Sequence, residues 1–277
     1  MNDETAGSHA PRPPKGDWLG TPYLHFERSG SVAVVTVDRP EARNSMTPAM
    51  YFGIRYAVDL VGRTAELAGL LITGTGDVFV PGGDLGGDNL DGWADLPTLL
   101  AMDNTPFDAI RRSKKPVVCA VNGLTQGGGL MIAMLADVAV ASDRATFRAP
   151  ELFRGIADTN YAQILPRQIG PARARDMLLT GRIVTASEAA DWGLVARVVP
   201  HVELIGAATD ALAWCCRSAP DARQEVKRVF DRYYGTYDRM AMDESLAGPE
   251  PVEGFAAFKQ RRNPSWVPSD LRTDGRL

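Results

Sequence analysis

Four short apolar runs constrain the fold of this chain more than any other feature. They lie in AGLLITG (Ala68–Gly74), KKPVVCAVNG (Lys114–Gly123), DVAVAS (Asp137–Ser142) and GLVARVVP (Gly193–Pro200). Each is too short for a helix, rich in Val, Ile or Ala, and closed by glycine, serine or proline, which reads as a buried strand. Helix-patterned segments separate them. Thr47 before Pro48 sets an N-cap with proline at the first helical position of one. Another spans Leu96–Arg112, a third follows Gly127–Gly129, a fourth ends at Gly181, and Thr185–Glu188 (TASE) is a capping box for a fifth. Tyr23–Arg28 and Ser31–Asp38 form a hairpin around Ser29–Ser31. Strands alternate with helices as far as Pro200, and helices dominate afterwards. The expectation is an α/β core over 21–201, a helical C-terminal region over 202–277, and a tail over 1–20 that Pro11, Pro13 and Pro14 keep extended and disordered.

Composition narrows the function. The 277 residues are 45% apolar and 23% charged, with a net charge of -4, ordinary for a globular chain and unlike a nucleic-acid binder. A local basic patch for one phosphorylated ligand stays compatible with this balance. Cys119, Cys215 and Cys216 have no zinc-like spacing and build no disulfide framework, pointing to a reducing compartment and hence the cytoplasm. No apolar stretch reaches the length of a membrane span, and the N-terminus has no apolar core of a secretory signal.

Chemistry is concentrated in AVNGLTQGGGLMIAMLAD, Ala120–Asp137. Gly127, Gly128 and Gly129 precede a wholly apolar helical segment whose first charge is Asp137. Glycine admits a ligand close to the backbone, and a helix start offers free N–H groups and a partial positive charge. A phosphate or a developing oxyanion suits that place. GGGLMI has neither the Lys-Ser/Thr of a phosphate loop nor a dinucleotide fingerprint. Two readings remain: close helix–strand packing, or an oxyanion hole that needs a second donor and a base. Candidates for those are the glycine-rich turn in DVFVPGGDL (Asp77–Leu85) and Glu151, the acid after RAP.

VAVVTVDRPEARNSM, LLITGTGDVFVPGGDL, KPVVCAVNGLTQGGGLMIAMLADVAVAS, FRAPELFRGI and LLTGRIVTASEAADWGLVARVVP occur in one fixed order. Together they resemble the crotonase superfamily, the enoyl-CoA hydratase/isomerase family, over roughly Tyr23–Pro268. The resemblance implies a spiral of ββα turns with a C-terminal helical region. It implies homotrimers or dimers of trimers, an acyl-CoA thioester as substrate, and no cofactor beyond the coenzyme A that the substrate carries. It implies neither a metal site nor a nucleic-acid or membrane partner.

Residue by residue, the resemblance implies one oxyanion donor at the N–H of Gly128. The family's other donor falls on Pro81, which has no N–H. Gly82 is the expected substitute, with Gly83 and Asp84 completing the loop and Asp84 fixing it. Hydratases of the family carry two glutamates. One matches Glu151; the other position is Met131. A lone glutamate suits proton shuttling between carbons, so isomerisation is favoured slightly over hydration, for which Asp158 would act as the second acid. A non-catalytic CoA-ester binder is the remaining alternative. Glu151 taken alone reads as a surface acid at a strand end, and Asp158 as a helix-capping residue. Ala42, Arg43 and Ser45 match the segment that wraps the adenosine end of CoA. Phe258 and Arg261 match residues that reach a neighbouring subunit's CoA, although Lys259–Arg262 also reads as a solvated basic face. His9, His25 and His201 lie outside the matching active-site segments.

Overall fold

The structure is a computed structural model, and it describes residues 12–84, 93–94, 99 and 106–275. Among the described residues ten strands form two sheets: β1 (Leu24–Ser29), β2 (Val32–Val37), β3 (Gly69–Gly74), β4 (Val78–Val80), β5 (Val117–Val121), β6 (Leu124–Gln126), β7 (Val138–Ser142), β8 (Thr146–Arg148), β9 (Val184–Thr185) and β10 (Arg197–Val199). The larger sheet runs β1-β2-β3-β5-β7-β10, antiparallel only between β1 and β2. The smaller runs β4-β6-β8-β9, with β4, β6 and β8 parallel. Each strand β3, β5 and β7 of the large sheet is followed within a few residues by a strand of the small one. The chain turns this corner three times and so winds as a spiral.

Among the described residues the α-helices are α1 (Pro48–Arg63), α2 (Phe107–Arg111), α3 (Gly128–Leu135), α4 (Thr159–Ile169), α5 (Pro171–Thr180), α6 (Ala186–Trp192), α7 (Leu204–Arg217), α8 (Pro220–Tyr234), α9 (Arg239–Ala247) and α10 (Pro249–Lys259). The expected caps are present. Thr47 accepts from Met50 N at 3.3 Å, Thr185 and Glu188 form the reciprocal capping box, and Gly181 ends α5 in the left-handed region.

The apolar runs lack polar alternation because the large sheet is covered on both faces. Leu70, Ile72, Cys119 and Val121 join one core with α1 and α3, while Leu71, Val118, Ala120 and Val140 pack against Leu204, Ala208, Ala211 and Leu212 of α7. Asp137, the first charge after the glycines, has a structural use. Its Oδ2 accepts from Val117 N at 2.8 Å and from Lys227 Nζ at 2.7 Å. Lys227 also donates to Ser113 Oγ at 2.6 Å, so α8 is tied both to the end of α3, through Asp137, and to the segment after α2.

Two expectations need correction. The stretch Asp77–Leu85, read as a glycine-rich turn, contains strand β4, and three-residue strands β6 and β8 likewise extend the large-sheet runs around the corner. Strands this short carry no periodicity to read. The tail over 1–20 is docked from residue 12: Lys15 and Trp18 pair, Leu19 is fully buried, and Gly20 O accepts from Trp93 Nε1 at 2.7 Å. Apolar Trp18 and Leu19 outweigh the prolines there. Most of the helix expected over Leu96–Arg112 lies outside the described residues, and α2 is its described end. No helix among the described residues is long and apolar enough to cross a membrane.

Candidate active site

Strands β4, β6 and β8 are parallel neighbours, so the loops that follow them emerge side by side at one edge of the small sheet. These loops are Pro81–Asp84, Gly127 with the start of α3, and Ala149–Glu151. The glycines, the proline and the glutamate singled out in the sequence are therefore brought together by topology.

Gly127 is the N-cap of α3, with φ 51° and ψ -132°, a combination that disfavours any side chain. The helical ladder opens with Met131 N donating to Gly127 O at 3.1 Å, so the N–H groups of Gly128 and Gly129 lie ahead of it. A Cβ on Gly129 would stand 2.2 Å from Val80 O, so this glycine serves close packing of α3 on β4. A Cβ on Gly127 would stand 3.2 Å from Gly82 Cα and 3.1 Å from Glu151 Oε1. Both glycine loops and the carboxylate thus meet at one point.

The facing loop is fixed from outside. Met46 N donates to Gly82 O at 2.9 Å, and Asp84 N donates to Met46 O at 2.8 Å. Arg39, buried, donates through Nη1 to Asp84 Oδ2 at 2.8 Å, to Ser45 O at 2.9 Å and to Ser45 Oγ at 3.2 Å. Asp84 is therefore occupied in holding the loop. Gly82 has φ 111°, and Pro81 places no N–H between it and β4.

Glu151 opens a 3-10 turn, Glu151–Arg154. As a residue it is half-buried, yet its Oε2 is out of contact with water and has no hydrogen-bond partner among the described residues. Burial, reinforced by the charge of Asp158, pushes its carboxyl up to about 8, against the pull of Arg154 and Arg148. Asp158 is the N-cap of α4, its Oδ1 accepting from Asn160 N at 2.9 Å and Tyr161 N at 3.2 Å. Burial raises its carboxyl too, while those cap bonds pull it back. The capping reading of Asp158 stands, and its charge is felt by Glu151 as well.

Two tyrosines complete the cluster. Tyr161 OH donates to Gly127 O and so helps hold the glycine turn. Tyr51, from α1, is buried beside Gly128. Burial first, then the charges of Glu151 and Asp158, raise both phenols above their ordinary range, so both hold their protons. The sequence gives Tyr51 no role. In sequence Tyr51 is one more aromatic on the buried face of an amphipathic helix, and its approach to Gly128 is made by tertiary packing alone.

The remaining predicted residues fall in three places. Met131 is buried in α3 among apolar neighbours. Ala42, Arg43 and Ser45 lie in and after a 3-10 turn, with Arg43 exposed at φ 51°. Asn44 locks that turn, accepting from Arg39 N at 2.9 Å and donating to Val78 O at 2.8 Å. Phe258 lies under the Arg154 guanidinium at 3.9 Å, and Arg261 is exposed past α10. Gly83 is exposed and bridges to Met46. Among the described residues no group of three or more His, Cys, Asp or Glu is arranged to hold a metal ion.

In sequence and fold the chain is similar to proteins already known. The profile of the enoyl-CoA hydratase/isomerase family matches residues 27–268. A mevalonyl-coenzyme A hydratase of Aspergillus fumigatus is 33% identical over 260 residues, covering 87% of this chain and 93% of that protein. A carnitinyl-CoA dehydratase of Escherichia coli O157:H7 is 32% identical over 270 residues, covering 88% and 97%. Among solved structures, an enoyl-CoA hydratase/isomerase from Pseudoalteromonas atlantica T6c superposes with a TM-score of 0.77 at 28% identity, covering 88% of this chain and all of that one.

Proposed function

The chain belongs to the enoyl-CoA hydratase/isomerase family and acts on CoA esters, and from that premise we propose that it moves a proton between carbons of a thioester enolate, with Glu151 as the acid–base group. The observation that carries this reading is the buried, partnerless Oε2 of Glu151 beside both glycine loops. A carboxylate left without a hydrogen bond in a closed site is costly unless a substrate supplies the partner.

In the favoured sequence, a 3-enoyl thioester lies with its carbonyl oxygen between the Gly128 amide and the Gly82 amide on the opposite rim. Glu151 takes the C2 proton, and the electrons of the C2–H bond move onto the thioester oxygen as a dienolate forms. Electrons return through C4, which takes the same proton from Glu151, and the double bond comes to lie at C2–C3. Isomerisation is favoured because Met131, buried and apolar, stands where a second acid would be needed to hold water. CoA enters only as part of the substrate, with Arg43, Ala42 and Ser45 toward its adenosine end and Phe258 and Arg261 offered to a neighbouring subunit. Glu151→Gln should lower kcat by about 10²–10⁴-fold while CoA-ester binding persists, measured by turnover of 3-enoyl-CoA and by calorimetry. In the parent, kcat/KM should rise with pH through a midpoint near 8 and level off above it, as the carboxyl becomes a base. Unchanged turnover in the variant would remove Glu151 from the chemistry.

A second reading is hydration or its reverse, with Asp158 as the second acid. It is favoured by the electrostatic influence of Asp158 on Glu151, and two of the relatives are named for adding or removing water.

The proposal includes a cytoplasmic homotrimer or dimer of trimers. Val226, Val229, Phe230 and Tyr233 make an exposed apolar stripe along α8, a surface suited to burial against other copies. Sedimentation equilibrium should give three or six copies, and a monomer would overturn this part of the reading.

A further inference from the structure

The chemistry proposed above turns on the direction of one N–H, which belongs to the peptide joining Gly127 to Gly128. A peptide unit is planar and trans, so its N–H points opposite to its C=O. Whatever holds the Gly127 carbonyl therefore aims the Gly128 amide. Local sequence leaves this peptide weakly determined. Glycine stands on both sides of it, and glycine crosses regions of backbone space closed to other residues. Opposed rotations about ψ of Gly127 and φ of Gly128 would turn the peptide over while the chain on either side stayed in place.

Two donors hold the carbonyl. One is Met131 N at 3.1 Å, the first bond of the α3 ladder and so the one at its fraying end. The other is the Tyr161 hydroxyl, which arrives from α4. A carbonyl oxygen has two lone pairs, so these bonds fill it, and a turned-over peptide would forfeit both. Tyr161 comes from a rigid base. It is only 1% exposed and belongs to the main core, and its own N–H is bound by the Asp158 cap at 3.2 Å. Phenylalanine would fill the same space with no polar atom to satisfy, so the hydroxyl is a cost to the core that its bond to Gly127 O offsets. That bond also acts through the peptide. A donor on the carbonyl draws electron density from nitrogen toward oxygen, and the N–H on the opposite side becomes a stronger donor.

We infer that Tyr161 is a positioning residue, its hydroxyl fixing the Gly127–Gly128 peptide so that the Gly128 N–H faces the thioester oxygen and donates to it more strongly. The inference deepens the CoA-ester reading above and rests on it. It gives the first turn of α4 two tasks, with the charge of Asp158 acting on Glu151 and the phenol of Tyr161 acting on the oxyanion donor. The phenol keeps its proton, as noted above, and so remains a donor throughout.

The test reads the thioester oxygen directly. Cinnamoyl-CoA bound to the Glu151→Gln enzyme should show its carbonyl stretch at lower frequency than in solution, in Raman difference spectra. Adding Tyr161→Phe should return part of that shift. Placing 3-fluorotyrosine at position 161, a more acidic phenol and a stronger donor, should enlarge it. In the otherwise unaltered enzyme, Tyr161→Phe should lower kcat about tenfold with little change in KM, less than the roughly 10²–10³ that follows removal of a donor, because the amide is weakened and not lost. If the phenylalanine variant fails to fold, the comparison of tyrosine with 3-fluorotyrosine decides alone. A carbonyl band shifted on binding but identical in all three forms would overturn the inference and leave the thioester reading intact. A fall in kcat with that band unmoved would mean a packing role and would also overturn it. A carbonyl unshifted even with Tyr161 present would overturn both.

Discussion

The two loops that face each other across the site are both rich in glycine, yet they are built on opposite principles. At Gly128 and Gly129 there is no room: a Cβ on either would come within 2.2 Å of Tyr51 OH or Val80 O. At Gly82 there is room, since the nearest heavy atom to an added Cβ is Gln126 O at 3.7 Å, and glycine is favoured there by its φ of 111°. The first loop is held by packing from beneath and by Tyr161 on Gly127 O. The second is held by Met46 and the Arg39–Asp84 pair. One glycine run thus marks close approach and the other marks a bend, a difference invisible in their letters.

That contrast can be broken by substitution. Gly129→Ala should have the largest effect, with a loss of about 3 kcal/mol in urea unfolding, because β4 main chain must move to admit the methyl group. Gly82→Ala should cost about 1–2 kcal/mol, the backbone strain alone, in the same measurement. Equal losses would mean that both loops are limited by the same thing. The smallest effect sharpens the electrostatics between the loops. Asp158→Asn keeps the helix cap, since asparagine caps as well as aspartate, and removes a negative charge that raises Glu151. Glu151 then ionises more readily, so the rising limb of kcat/KM should move to lower pH with most of the turnover retained. A limb that stays in place would show that burial alone sets the acid. Turnover lost at every pH would favour hydration over isomerisation.

Much of this was legible in the sequence because strong local chemistry agreed with the global arrangement. Thr47–Pro48, the Thr185–Glu188 box and Gly181 each fix a helix end by bonds to near neighbours. The strands of the large sheet announce themselves because burial on both faces leaves unbroken apolar runs. The small sheet does not, since three residues cannot show a period, and yet it is this sheet that aims the loops. Glu151 was found by motif order, but its isolation from hydrogen-bond partners is a tertiary fact. Asp158 was legible as a cap because a cap is local; its influence on Glu151 is not. Tyr51 had no sequence signal, for its partner Gly128 lies on another helix and across the spiral. Arg39 and Asn44 were missed for the same reason, as their bonds to Asp84 and Val78 join distant segments.

The 3-10 turn that carries Glu151 rests on α10. A Cβ on Gly155 would fall 2.4 Å from the carbonyl carbon of Glu250, and one on Gly254 would fall 2.5 Å from that of Arg154, so the two segments touch backbone to backbone. Glu151 is thus propped by a helix made long after it during synthesis. A nascent chain stopped before Pro249 can already display the glycine loops but has nothing to seat the carboxylate against them. Ribosome-bound fragments should therefore be silent on CoA esters until that helix has emerged, and competence should arrive in one step.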